Sequence, residues 1–161
     1  MTDSSLPNLF PEREAELMVR PPPEAGPLSQ PLPKATSEGG GRRVLVVEDS
    51  RDSAASLRML LEVVGYQVRV AYTGGAGLAE AQAWRPEAVV CDIGLPEMDG
   101  YEVARRLRRT AGLEGVLLVA LTGYGRDEDR RQAFAAGFDY HLTKPADPDE
   151  LRRLLSSGRL P

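Results

Sequence analysis

The chain has 161 residues, of which 42% are hydrophobic, 27% are charged and one is a cysteine. This length allows one ordinary domain and an additional segment. The formal net charge of −4, with basic residues scattered along the predicted helices, argues against a nucleic-acid-binding surface. A single cysteine excludes an intramolecular disulfide, and no stretch resembles a signal peptide or a membrane span of about 18 residues. We therefore expect a cytoplasmic protein without a membrane partner.

Residues 1–42 differ in composition from the rest of the chain. They contain eight of the 13 prolines and include three consecutive glycines at 39–41. A segment of this composition buries too little apolar surface to offset the entropy of ordering it, so we predict a disordered Pro/Gly-rich tail. The alternative is that residues 6–19, whose apolar side chains include Phe10 and Leu17, form a short helix or a docking peptide.

From residue 43 onward, apolar runs alternate with helical patterns of about a dozen residues, which is the signature of repeated strand-helix units. The predicted strands cover residues 43–48, 66–72, 87–93, 116–122 and 140–144, and the predicted helices cover about 52–64, 74–84, 100–109, 127–136 and 147–155. Most of the strands are runs of Val, Leu and Ala without polar alternation, as in parallel sheets covered on both faces. We predict one α/β domain over residues 43–157, with 158–161 as the C-terminal end.

The first predicted helix has one apolar face, formed by Leu57, Leu60, Leu61 and Val64. Residues three or four apart share one side of a helix, so these four side chains are predicted to lie on one face of it. Gly65 follows directly, and a glycine at this point commonly ends a helix because it adopts the left-handed conformation at low steric cost.

Four of the five predicted strands end on polar residues suited to phosphoryl transfer. These residues are Glu48 and Asp49 after the first strand, Asp92 in the third, Thr122 in the fourth and Lys144 in the fifth. The carboxyl ends of parallel strands meet at one edge of an open α/β sheet, which is where such sheets bind ligands. We therefore expect three carboxylates, a hydroxyl and an ammonium group in one crevice.

The acidic residues of this crevice suggest a divalent metal site. Carboxylates about 5 Å apart repel by about 3 kcal/mol per pair at an effective dielectric constant near 20. This repulsion should raise at least one carboxyl pKa unless a cation such as Mg²⁺, which binds carboxylate oxygens, a backbone carbonyl and waters, compensates it. The alternative is that Asp49 and Asp92 only cap the helices that follow. Two acidic strand ends together with Lys144 favour the metal site.

Thr122 and Lys144 each have a role if a carboxylate carries a phosphoryl group. Such a group has three oxygens that need partners, and the Thr hydroxyl, the Lys ammonium and Mg²⁺ supply one each. The alternatives are an ordinary strand-end threonine and a surface lysine. Pro145 cannot extend the strand, and a cis peptide bond before it would turn Lys144 into the crevice, whereas a trans bond would only begin a loop.

Other catalytic and nucleotide-binding patterns are missing. Residues 73–77 (TGGAG) lack the Lys and Ser or Thr of a P-loop, and residues 92–94 lack the Asp-x-Asp of a haloacid dehalogenase phosphatase. His141 lies on the opposite pleat of the fifth strand from Lys144, so we expect a half-buried strand histidine. Cys91 is interpreted as a core residue.

Four segments of the chain resemble the response-regulator receiver domain of two-component signalling: VLVVEDS (44–50), VVCDIGLPEMDGYEVARRLR (89–108), VALTGYG (119–125) and YHLTKPADPDEL (140–151). The resemblance covers about residues 43–155 and includes every motif in order. It implies a flavodoxin-like fold of five strand-helix pairs with a five-stranded parallel sheet of order 2-1-3-4-5.

The resemblance also implies residue roles around a phosphoryl group. Asp92 would accept this group from the phosphohistidine of a histidine kinase or a histidine phosphotransfer protein. Glu48 and Asp49, together with Asp92 and the backbone carbonyl of Gly94, would hold Mg²⁺. The implied activity is self-catalysed phosphotransfer to Asp92 and slow dephosphorylation, which differs from the turnover of a conventional enzyme.

The implied switch includes Thr122 as its hydroxyl, Lys144 as the phosphate-binding lysine and Pro145 as a cis proline. His141 occupies the position where many members have a Tyr or Phe that moves with the threonine, so it would be part of the switch here. The moving face would be formed by the fourth helix, fifth strand and fifth helix, which an unknown downstream protein would read.

No output domain is expected after the fifth helix, so any response would pass through protein contact. The sequence HLTKP is similar to receivers of hybrid sensor kinases, which favours a phosphorelay role over a single-domain regulator. A different possibility is a receiver-like interaction module that no longer accepts phosphate and uses its proline-rich tail for docking.

Overall fold

The computed structural model describes residues 41–157, in which strands and helices alternate strictly. The elements are β1 (Arg43–Val47), α1 (Arg51–Val63), β2 (Gln67–Ala71), α2 (Gly74–Trp84), β3 (Ala88–Asp92), α3 (Gly100–Arg108), β4 (Leu117–Thr122), α4 (Asp127–Ala136), β5 (Tyr140–Thr143) and α5 (Pro148–Ser157). Residues 1–40 and 158–161 lie outside the described residues, and so do the predictions of a disordered tail and a docking peptide.

The five strands form one parallel sheet in the order β2-β1-β3-β4-β5, which confirms the predicted flavodoxin-like topology. Every residue of β3 and β4 is buried, whereas β2 at the edge alternates between buried and exposed positions. Helices on both faces explain the continuous apolar runs of the central strands. Within residues 41–157, no helix is both long and apolar enough to cross a membrane.

The core has two layers, because successive side chains of a strand point to opposite faces of the sheet. Val46 and Val90 belong to the layer that contains Leu61 of α1 and Leu151 of α5. Cys91, which is fully buried as predicted, belongs to the layer under α2, α3 and α4. A residue's position along its strand therefore decides which helices its side chain meets.

The C-terminal end of α1 matches the sequence prediction at Gly65 but differs from it at Val64. Gly65 has φ of 104° and ends the helix as predicted. Leu61 is 1% exposed, and Leu57 and Leu60 pack on the core, but Val64 is 40% exposed. Val64 was predicted to be the last helical residue, but it is the C-terminal cap, with φ of −93° and ψ of 10°, and so it leaves the helical spacing of Leu57 and Leu61.

Arg108 at the end of α3 ties together the segments that precede β4 and β5. Its guanidinium donates hydrogen bonds to the carbonyls of Val116 (2.6 Å) and Gly137 (2.9 Å) and pairs with Asp139 at 2.9 Å. Asp139 in turn accepts a hydrogen bond from the Leu118 amide at 2.9 Å. The pair is largely buried, so it positions the strands that carry the site rather than forming a solvated surface contact.

Candidate functional site

Three carboxylates meet at the carboxyl edge of the sheet. Glu48 directly follows β1, Asp49 comes next, and Asp92 is the last residue of β3. One oxygen from each of the three lies within 4.8 Å of the others. Glu48 is 1% and Asp92 is 6% exposed, whereas Asp49 faces solvent. The expectation that these carboxylates converge is confirmed.

Lys144, directly after β5, lies against two of these carboxylates. Its ammonium nitrogen is 3.0 Å from Oε1 of Glu48 and 3.2 Å from Oδ1 of Asp92. Its backbone amide donates to the carbonyl of Thr122 at 2.7 Å, which holds the chain beside β4. The peptide bond between Lys144 and Pro145 is cis, as the family resemblance implies.

The pKa values of the paired groups are displaced in a way that reflects burial and charge. Burial is the largest influence on Glu48 and raises its pKa, and the nearby charge of Asp92 acts in the same direction, while the Ser50 amide and Lys144 oppose it. Burial alone would lower the pKa of Lys144, but its hydrogen bond to Glu48 and the charge of Asp92 outweigh this, so the pKa is raised. A raised carboxyl pKa was expected from repulsion, but burial is the larger cause.

The donor set fits a divalent cation. Three carboxylates and one ammonium leave a formal charge of −3 + 1 = −2 in the crevice. Hard oxygen ligands of this kind suit Mg²⁺, which needs only a few protein ligands and keeps several waters. The amide of Gly94 donates to Oδ1 of Asp92 at 3.2 Å, so the backbone of Gly94 is held beside the cluster. These residues therefore fit Mg²⁺.

Ser50 supports the cluster in a way that the sequence reasoning missed. Its backbone amide donates to Oε2 of Glu48 at 3.0 Å, and its hydroxyl accepts from the Ser53 amide at 3.3 Å as the N-terminal cap of α1. One residue therefore begins the helix and orients the buried carboxylate. A serine directly after the acidic pair is a recognisable capping signal that could have indicated this role.

Thr122 and His141 lie on the sheet face opposite to Asp92. Asp92 is paired with Leu121, and Thr122 is the next residue of β4, so its side chain points to the other face. His141 is paired with Ala120, two residues before Thr122, and therefore shares the face of Thr122. The Thr122 hydroxyl accepts a hydrogen bond from the Tyr124 amide at 3.2 Å. Thr122, the last residue of β4, is therefore at the same end of the sheet as Asp92 but on the opposite face, and His141 lies on the face covered by α4.

His141 is half-buried, as expected, and its ring is incompletely satisfied. Among the described residues, its Nε2 atom is a buried side-chain polar atom without a hydrogen-bond partner. The pKa of His141 is lowered. Burial is the largest cause, the positive charge of Arg130 lowers the pKa further, and the negative charge of Asp129 acts in the opposite direction. The neutral ring is therefore the favoured form in this arrangement.

The fold and the cluster define a flavodoxin-like domain with an acidic crevice at the carboxyl edge of its sheet, whose donor set fits a divalent cation. Residues 44–156, well over half of the chain, match the family model of the response regulator receiver domain. The chain belongs to this family. Receiver domains of two-component response regulators bind Mg²⁺ in the acidic active site and generally pair with histidine kinases.

Curated relatives differ in how much of their length the chain covers. It is 42% identical over 112 residues to an uncharacterised 14.6 kDa protein of Leptolyngbya boryana, covering 70% of this chain and 86% of that protein. It is 35% identical to the DNA-binding dual master transcriptional regulator RpaA of Synechocystis, covering 68% of this chain but only 45% of RpaA. It is 30% identical to protein PilH of Pseudomonas aeruginosa, covering 71% of this chain and 95% of PilH. The chain thus spans under half of RpaA and nearly all of PilH.

Solved structures show the same fold. The chemotaxis protein CheY4 of Vibrio cholerae superposes with a TM-score of 0.69 at 28% identity, covering 72% of this chain and 97% of CheY4. The receiver domain of the sensor histidine kinase PA1611 of Pseudomonas aeruginosa has a TM-score of 0.68 at 31% identity, covering 72% of this chain and 95% of that domain. That structure contains a magnesium ion coordinated in its active site cleft.

Proposed function

We propose that this protein is a phosphoacceptor, with a receiver domain over residues 43–157, that takes a phosphoryl group onto Asp92 from a phosphohistidine. The donor would be a histidine kinase or a histidine phosphotransfer protein in the cytoplasm. The observation that carries the proposal is the convergence of Glu48, Asp49 and Asp92 within 4.8 Å, with the Lys144 ammonium 3.2 Å from Asp92.

The proposed chemistry needs no catalytic base. An Oδ atom of Asp92 forms the new bond to phosphorus while the phosphorus–nitrogen bond of the donor histidine breaks. The imidazole nitrogen keeps the electron pair and takes a proton from water. Asp92 is nearly buried at the end of a strand, so its carboxylate is held in one place, and positioning is the main contribution that a protein makes to phosphoryl transfer.

The residues around Asp92 supply charge compensation. Mg²⁺, held by Glu48, Asp49, Asp92 and the backbone carbonyl of Gly94, would neutralise negative charge between the carboxylate and the phosphoryl group. The Lys144 ammonium already lies beside Asp92 and would bind one phosphoryl oxygen. These groups supply the positive charge that a carboxylate needs in order to attack an anionic group.

We further propose that Thr122 and His141 report the phosphorylated state. The Thr122 hydroxyl accepts a hydrogen bond from the Tyr124 amide, and it would turn to donate to a phosphoryl oxygen on Asp92. His141 is paired with Ala120, two residues before Thr122, and lies on the same face of the sheet as Thr122. Among the described residues, its Nε2 atom has no hydrogen-bond partner, so it is available for a new hydrogen bond when Thr122 moves. The resulting change would alter the face of α4, β5 and α5.

A downstream protein would read this face. Tyr124, just before α4, is 65% exposed, and Phe134, on α4, is 48% exposed. Residues 126–131 carry three acidic and three basic side chains, so this face has no net positive charge. Exposed aromatic side chains without a basic patch favour a protein partner over a nucleic acid. A relay role between a kinase and a phosphotransfer protein agrees with these features and with the HLTKP sequence at residues 141–145.

Phosphorylation of the full chain by acetyl phosphate tests the proposal. With Mg²⁺ present, the intact mass should rise by about 80 Da, the mass of one phosphoryl group. Chelation of the metal should prevent the gain, because the anionic groups would then repel each other. Asp92→Asn should show no gain, since an amide cannot form the acyl phosphate.

Asp127→Asn is the matched control, because Asp127 is an exposed acidic residue at the start of α4. It should accept phosphate as the wild type does. No gain in the wild type would contradict the proposal and favour a receiver-like interaction module. An equal gain in Asp92→Asn would assign the phosphoryl group to another residue. Transfer from purified phosphorylated histidine kinases would then identify the donor.

A further inference from the structure

An apolar groove runs along α1 on the side that faces the start of α5. It consists of two adjoining hollows of about 410 and 570 Å³ that share Leu60 and Pro148. The first hollow is also lined by Met59, Val63 and Val64, which are 66%, 83% and 40% exposed. We call this surface the α1/α5 groove, and we define it by these five residues.

The exposed apolar residues of the groove are not scattered. The described residues contain five exposed large hydrophobic side chains, and three of them, Met59, Val63 and Val64, line the first hollow. Single exposed apolar residues are ordinary, but a contiguous patch marks a binding surface. The groove therefore calls for an occupant.

The described chain begins beside this groove. The carbonyl of Gly41 accepts a hydrogen bond from Nε2 of Gln67 at 3.0 Å. Gly41 packs so closely on Gly65 that a Cβ atom at position 41 would lie 1.7 Å from the Gly65 carbonyl oxygen. Gly65 directly follows Val64 of the groove. Residues 1–40 are therefore connected to the domain at the end of the groove.

The length of the preceding chain allows it to return along the groove. Residues 20–40 form a 21-residue connection between residue 41 and the apolar segment 6–19. At about 3.1 Å per residue, the value for proline-rich chains, a connection of this length can span up to roughly 65 Å. The helix α1 has 13 residues and is about 20 Å long. The segment can thus reach any point of the groove at a high effective concentration.

The composition of residues 6–19 complements the groove. The segment carries Leu9, Phe10 and Leu17, and its residues 12–16 contain three glutamates and one arginine, a net charge of −2. Its apolar side chains match the exposed surface of the groove.

Arg152 lies at the rim of the groove and would face these glutamates. It pairs with Asp149 at 2.9 Å, but both side chains are more than half exposed. Such an exposed pair contributes little, so glutamates of the segment could replace Asp149 at little cost.

We propose that residues 6–19 dock in the α1/α5 groove of their own chain. The apolar side chains of the segment cover Met59 and Val63, and its glutamates face Arg152. The second hollow extends to Glu48 and Lys144, so a docked segment that fills both hollows reaches the acidic crevice. It therefore competes with any protein that approaches the crevice along α1. The docking itself depends only on the groove and the segment, and it stands whether or not Asp92 accepts phosphate.

Paramagnetic relaxation in the full chain tests this proposal. A nitroxide is attached at Ala15→Cys in ¹⁵N-labelled protein, where the buried Cys91, whose thiol pKa is raised by burial, stays unmodified. The amide signals of Met59, Val63 and Arg152 should be lost through broadening. The signal of Phe134, which lies on α4 across the sheet, should remain.

Two variants identify the contact. Phe10→Ser combined with Leu17→Ser should restore the groove signals, because the segment loses its apolar anchors. Val63→Glu should do the same from the other side. Val63 is 83% exposed, so the substitution should leave the fold intact, and the preserved spectrum of the core checks this. Phe134→Glu is the matched control and should leave the broadening unchanged.

A mixture of spin-labelled unenriched chain with unlabelled ¹⁵N chain separates contacts within a chain from contacts between copies. Broadening of the groove signals in this mixture would overturn the proposal in favour of a second copy as the occupant. Broadening spread evenly over the domain, or none at the groove, would also overturn it and leave the groove to a different protein. A negative phosphorylation result would leave all these outcomes unaffected.

Discussion

The acidic crevice and the α1/α5 groove depart from the usual distribution of side chains in opposite directions. The crevice buries carboxylates, with Glu48 and Asp92 at 1% and 6% exposure, while the groove leaves Met59 and Val63 at 66% and 83% exposure. The buried carboxylates reduce stability because they lose hydration. The exposed apolar side chains forgo the stabilisation that burial would give, about 25 cal/mol per Å² of apolar surface. Each is therefore a sign of function rather than of folding.

The two regions differ in how this loss is offset. The crevice contains its own partners, because Lys144 and the Ser50 amide both bind Glu48. Among residues 41–157, nothing covers Met59 and Val63. The comparison shows that a buried polar site is completed within the folded domain, whereas an exposed apolar surface needs another segment or molecule.

The largest expected effect is on the free energy of unfolding, and it distinguishes a buried from an exposed apolar residue of helix α1. Leu61→Ala should lower the free energy of unfolding by about 3 kcal/mol, because it removes a fully buried side chain and leaves a cavity. Val63→Ala, two residues later, opens no cavity in the core and should change it by about 1 kcal/mol or less, even where the docked segment contacts Val63. Denaturant unfolding of both variants measures the difference. Similar losses would break the comparison, since Val63 would then belong to the core of the domain.

The next effect tests whether Lys144 stabilises the buried carboxylate. Lys144→Met, measured with a chelator present, should lower the free energy of unfolding by about 2 kcal/mol at neutral pH, because Glu48 loses its charged partner. This value is below that of a fully buried pair, since Lys144 is 32% exposed and Glu48 keeps the Ser50 amide.

The matched control for Lys144→Met is Arg58→Met. Arg58 pairs with Glu62 at 3.0 Å on the exposed side of α1, and such pairs contribute about 0.5 kcal/mol or less. Both variants replace a long cation with the same apolar side chain. An equal effect of the two substitutions would show that burial of Glu48 adds nothing to its interaction with Lys144.

The smallest effect is a pH dependence at His141. Burial and Arg130 lower the pKa of His141, against the opposing charge of Asp129 on the same helix α4. The folded protein therefore binds this proton less readily than the unfolded chain. The contribution of His141 to stability is complete above its unfolded pKa, near 6.5, and is lost as the pH falls through the lower folded pKa.

His141→Gln should accordingly lose less stability than the wild type between pH 7 and pH 5. Thermal unfolding across this range measures the slope, and Gln keeps a polar side chain of similar size without titrating in this range. Parallel slopes for both proteins would contradict the shifted pKa.

Much of the fold and the acidic cluster could be predicted because they depend on local patterns. The apolar runs of β1, β3 and β4 indicated strands buried on both faces, and the helical patterns between them required parallel connections. Parallel strands end at the same edge, so Glu48, Asp49 and Asp92 had to converge once the strands were assigned. The cis peptide bond at Pro145 agreed with the family resemblance.

Other features could not be predicted because they depend on contacts between distant residues. Val64 shares the helical spacing of Leu61, but the helix ends before it, which removes it from the buried face. Arg108 resembles a solvated charge at a helix end, yet it binds Asp139, 31 residues later. The groove also had no sequence signal of its own, since its residues are apolar like those of the core.

The amino-acid sequence by itself determined the order of strands and helices and which residue types stand at the strand ends, because side-chain periodicity and end signals act over a few residues. Only the tertiary structure decided which charges pair and which apolar residues stay exposed. Lys144 and Glu48 are 96 positions apart in the sequence. Their 3.0 Å contact exists because β1 and β5 are parallel strands of one sheet, so that their carboxyl ends lie on the same side. Such contacts follow from packing, which local patterns do not specify.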